Sequence, residues 1–149
     1  MAKSPRRQFA DALAQECERT LRVLRAFPDD HSDLRLRERN RPARDVAWPL
    51  ALGLQRLMVK ALTTGFDWSQ PPGRPAPAPA RMSEIAAAVE QAYRDVEDAL
   101  TQAPDARLDD TVRFFVAPKT LGDVPVLDFL WFVLFDHVHR RTTRNGVAS

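Results

Sequence analysis

The stretch 124–144, VPVLDFLWFVLFDHVHRRTTR, constrains this chain most. Apolar side chains fill positions 126, 127 and 129–135, with no charge between Asp128 and Asp136. A helix that is apolar nearly all round belongs at the centre of a protein, wrapped by other helices. It is too short to span a bilayer, which takes about 20 apolar residues. The remainder is therefore expected to cover it, in an all-α fold. With 149 residues, one domain over 1–149 is the natural size.

Three further helical stripes supply the cover. Phe9, Leu13, Cys17, Leu21 and Leu24 recur at spacings of three and four, predicting a helix over 6–27 that Phe27-Pro28 closes. Val46, Leu50, Leu54, Leu57, Met58, Ala61 and Leu62 predict a second over 43–64, ended by Gly65. Pro49 interrupts it, because an internal proline removes a backbone hydrogen bond and crowds the carbonyl four residues back, at Asp45. Either a kink or a helix start near Trp48 is expected. Ile85, Val89, Ala92, Tyr93, Val96 and Leu100 predict a third helix over 83–103, with Ser83 as N-cap and Glu84 at its positive end. The fourth is 124–143.

The connections 28–42, 65–82 and 104–123 are long, so consecutive helices are expected not to be simple antiparallel neighbours. Leu34–Arg37 alternates in a way that suits a short strand within a polar loop. The run PPGRPAPAP is a stiff, polyproline-like connector. Residues 105–122 read as a connection with Val112, Phe114, Phe115 and Val116 tucked against the helices.

Composition excludes some functions. The formal charge of +2 gives no general field favouring nucleic acid. Arginines at 35, 37, 39, 41 and 44 are interleaved with Asp33 and Glu38 and lack aromatic stacking partners, so a solvated loop is expected there. Cys17 is the single cysteine, which precludes an internal disulfide and suits a reducing cytosol. On the apolar stripe it reads as a small core residue rather than a nucleophile. The charged opening MAKSPRRQFADALAQE is unlike a signal segment, so the expected location is cytoplasmic, without membrane attachment.

The helix-four ending, Phe135-Asp136-His137-Val138-His139-Arg140-Arg141-Thr142-Thr143-Arg144, resembles the closing motif of the DinB-like (damage-inducible, YfiT-like) four-helix-bundle superfamily. Ala43–Leu57 resembles that superfamily's second helix, and Thr111–Phe115 with Pro118 resembles its approach to helix four. The resemblance covers most of the chain and implies a four-helix bundle. It also implies a divalent-metal site made by one His on helix two and a His-x-x-x-His pair on helix four. Here the helix-two position reads Trp48-Pro49, and the helix-four pair falls on Asp136 and Arg140. Proline has no ligating side chain and a guanidinium stays cationic, so two of three ligands are lost.

His137 and His139 lie two apart, roughly 200° round a helix, and diverge; His31 is remote in sequence. No metal or other cofactor is therefore expected, and no catalytic residue is assigned. Asp136 and Arg140 stand four apart, in the order that favours a helical ion pair. The expectation is a vestigial pocket lined by Trp48, Pro49, Asp136, His139 and Arg140. The function expected is binding of a small molecule or a partner. The alternatives are a metal-dependent enzyme of thiol S-transferase or hydrolase type, and a nucleic-acid-binding stress protein. The resemblance also implies a homodimer, with Trp131, Phe132, Phe66 and Trp68 as apolar surface to be covered.

Overall fold

The computed structural model describes residues 3–29, 35–36, 41–70 and 73–148, with the side chains of 35, 36, 41 and 140–148 outside the description. Helix dominates. The order is α1 (Pro5–Arg25), β1 (Arg35–Leu36), β2 (Arg41–Pro42), α2 (Ala43–Gly53), a π-helical stretch (Leu54–Val59), α3 (Lys60–Leu62), α4 (Met82–Gln102), α5 (Asp105–Leu108), β3 (Thr111–Ala117), β4 (Thr120–Pro125) and α6 (Val126–Ala148). Among the described residues no helix is long and apolar enough to cross a membrane.

α1 packs on both α4 and α6, and α2 packs on the same two. These contacts run in the ring α1–α4–α2–α6, so α1 and α2, consecutive in sequence, are not principal neighbours. The expectation fails for α2 and α4, which do pack together across the proline-rich connection. The centre is apolar as read: Val126, Phe129, Leu130, Val133 and Leu134 of α6 are buried with Phe9, Leu13, Leu50, Leu54, Met58, Ile85 and Val96. Burying one such side chain stabilises by about 1.5–3 kcal/mol.

Helix ends follow local chemistry that the stripes alone missed. Ser4 caps α1 by accepting from the Arg7 backbone N–H, and Pro5 opens it, where a missing N–H costs nothing. α1 stops at Arg25, before Phe27. Ser83 is not the N-cap of α4. It lies inside the first turn, where its N–H and hydroxyl donate to the two carboxylate oxygens of Asp29, each at 2.9 Å. A loop carboxylate thus serves the positive end of α4. At the other end Arg6 donates to the Leu100 and Ala103 carbonyls at 2.5 and 2.7 Å and pairs with Asp105.

α2 begins at Ala43 and continues through Pro49, so the start near Trp48 does not occur. The helical path then widens to π spacing and ends at Leu62. Gly65, at φ 95°, turns the chain back and donates to the Lys60 carbonyl at 2.8 Å. Positive φ is what glycine supplies cheaply.

The 104–123 segment is more ordered than a connection. β3 and β4 form an antiparallel hairpin, Thr111 opposite Pro125, around a turn with Lys119 at φ 61°. Val124 and Pro125 belong to this hairpin rather than to the last helix, which runs on to Ala148. Val112 is buried and Phe114 half-buried, but Phe115 and Val116 are exposed, contrary to the expectation that all four tuck in. β3 is anchored through Arg113, whose carbonyl accepts from Trp68 N–H and whose N–H donates to the Phe66 carbonyl. Phe66 is itself buried, stacked on Phe129 at 5.1 Å, so it is core and not surface to be covered. Arg35–Leu36 does form a short strand, against Arg41–Pro42. His31, Leu34 and the arginines at 37 and 39 lie outside the described residues.

Candidate functional site

Trp48 and Pro49 face an open cleft of about 590 Å³ between α2 and the proline-rich connector. Asp45, Trp48, Pro49 and Leu52 form one wall; Arg74, Pro75, Ala76, Pro77 and Ala78 form the other. The connector is fastened to the helix at two points. The Trp48 indole N–H donates to the Ala76 carbonyl at 2.9 Å, and Arg56 donates to the Gly73 carbonyl. Gly73 and Ala76 are three residues apart, the period of a polyproline helix, so in that conformation both carbonyls face the same side. The cleft is thus held open by a stiff strap, with an aromatic ring and proline faces inside it. Such a surface suits a flat or apolar small molecule.

The remaining residues expected in this pocket are elsewhere or undescribed. Asp136 and His139 are exposed on α6 and are not in the described lining of the cleft; the side chain of Arg140 lies outside the description. Trp48 and Pro49 share one wall of this cleft, and Asp136 and His139 lie outside its described lining.

The inward position on this part of α6 is His137, only 4% exposed. Its Nε2 lies 2.7 Å from the Tyr93 hydroxyl and 3.2 Å from Thr20 Oγ1, and the Tyr93 hydroxyl donates to Thr20 at 3.4 Å. The two rings meet edge to face at 5.5 Å. Three helices, α1, α4 and α6, therefore share one buried polar cluster. Which partner donates to Nε2 follows from the imidazole tautomer. Buried and hydrogen-bonded in this way, the histidine ties α6 to α1 and α4.

This cluster was within reach of the sequence. His137 is four residues past Val133 and seven past Leu130, in phase with the buried face, while Thr20 and Tyr93 lie on the stripes of their own helices. The signal is a hydroxyl on each of two apolar stripes and an imidazole on a third.

Cys17 is partly buried, and desolvation, with the carboxylates of Glu97 and Glu90 nearby, pushes its thiol up to about 11. A thiol so held is a poor nucleophile at neutral pH. Among the described residues, no group of three or more His, Cys, Asp or Glu side chains is placed to hold a metal ion.

No family model matches the chain, and no curated protein sequence matches it.

Proposed function

We propose that this chain is a DinB-like four-helix bundle, cytoplasmic and homodimeric, that has lost the metal triad and binds a small molecule or a partner protein. The packing of α1 and α2 each against α4 and α6 supports the bundle. One observation carries the functional reading. Pro49 holds the helix-two ligand position, while Asp136, at the first helix-four position, is turned outward and His137 is engaged by Tyr93 and Thr20. The Trp48 cleft then offers a binding surface that needs no metal.

The test is a thermal-shift screen of small aromatic and apolar compounds on tag-free protein. A compound binding the native state at about 100 times its Kd stabilises by about 2.7 kcal/mol. The expected hit raises the melting temperature of the wild type and does so far less in Trp48→Ala. A stoichiometric tightly held metal in the unmodified protein would overturn the reading.

A further inference from the structure

Among the described side chains of α6 the exposed ones are Asp128, Phe132, Phe135, Asp136 and His139, a single stripe along one side of the helix. Phe132 and Phe135 are 54% and 65% exposed, unusual for large apolar rings on an otherwise buried helix. Each contacts one aromatic neighbour, Phe132 meeting Phe114 at 5.3 Å and Phe135 meeting Trp131 at 5.8 Å, both tilted. The hairpin extends this surface, since Phe115 lies 5.4 Å from Phe114, and Phe115 and Val116 are exposed.

The stripe is complementary to itself. A contact between identical surfaces requires each residue to face its counterpart across a two-fold axis. An axis at the level of Val133 and Leu134 exchanges Phe132 with Phe135 and Asp128 with His139. Apolar then meets apolar, and the carboxylate of the acidic first turn meets the end that carries His139 and, in sequence, Arg140 and Arg141. Asp136 falls opposite Trp131, so no like charges meet. Parallel packing would instead set Asp128 against Asp128.

We propose that this stripe is the homodimer interface, with two α6 helices antiparallel and Asp128 of one copy facing His139 of the other. The proposal rests on the homodimeric reading above and adds the face, the register and the pairing of Asp128 with His139. A stable interface buries about 800 Å² per partner. Two rings supply less than that, so the interface takes in further surface beside them, with exposed Phe115 of the hairpin as an apolar addition.

The experiment is light scattering and sedimentation at micromolar concentration, with helical content followed by circular dichroism. The wild type is expected to be a dimer, and Phe132→Ser with Phe135→Ser a folded monomer. His139→Glu sets carboxylate against carboxylate across the axis, and Asp128→Arg brings a guanidinium to the end that carries Arg140 and Arg141 in sequence; each should raise the dissociation constant by about tenfold or more. Combined, the two substitutions restore opposite charges and should recover the dimer. A monomeric wild type would overturn both the homodimeric reading and this interface. A wild-type dimer indifferent to all these substitutions would overturn the interface alone. Loss of the dimer in both single variants without recovery in the double would overturn the register.

Discussion

Asp29 acts on a helix 54 residues away. Its carboxylate accepts both donors of Ser83, and those bonds hold its pKa below the ordinary carboxylate value. A carboxyl depressed in the folded state stabilises above its unfolded pKa, and that contribution is lost as pH falls through the lower folded value. The acid limb of the stability curve, below about pH 4, should therefore be shallower in Asp29→Asn, as checked by urea melts at successive pH values. Cys17 behaves in the opposite sense. Its thiol is raised to about 11, so its contribution is complete below the unfolded value near 9 and is lost as pH rises towards 11. Alkylation at neutral pH should be far slower than for a free thiol, and unfolding in urea should restore the rate. At His137 the expected effect is larger. Tyr93→Phe leaves a buried ring nitrogen without its nearest hydrogen-bond partner and should cost about 1–3 kcal/mol by denaturant melting.

At the scale of elements, periodicity was a good guide to helices and a poor one to what lies between them. The stripes of α1, α4 and α6 place Phe9, Ile85 and Phe129 in the core as expected. The helix ends were less legible, because the groups that complete them come from remote segments: Asp29 for the start of α4 and Arg6 for its end. Arg6→Ala should destabilise by about 1.5–3 kcal/mol, the range for hydrogen bonds to a charged group, measured as a shift in urea midpoint. The hairpin was missed for another reason. Its turn carries Pro118 and Lys119 rather than an Asn-Gly or Asp-Gly pair, so the usual signal is absent. Lys119 adopts a conformation that costs a non-glycine residue about 1–2 kcal/mol. Lys119→Gly should therefore raise the melting temperature slightly, by relieving that strain. The cluster of Phe66, Trp68, Phe114 and Phe129 was equally hidden, since it joins three segments through contacts that no local pattern records.

At the scale of the molecule, the resemblance and the geometry meet at α6. The helix carries the motif that suggested a family, and its register decides what the motif does. By the resemblance, Asp136 and Arg140 would take the metal positions. In three dimensions Asp136 is outward and His137 is inward, two hydrogen-bonded hydroxyls away from being a free ligand. The phase of an apolar helix was readable from Val126 to Leu134; the inward rotation of His137 follows by continuing it. The Trp48 cleft was not readable in full, because its second wall is a connector whose fastening to Trp48 and Arg56 depends on the folded path. The central claim is that this helical fold stands and functions without a metal. Its most direct measurement combines elemental analysis of tag-free protein with melting in the presence and absence of a chelator. A metal that stabilised the native state would shift the melting temperature by mass action. The account expects zinc, nickel and iron well below one per chain and the same melting temperature with chelator. One tightly bound metal per chain, with a melting temperature that falls on chelation, would contradict it.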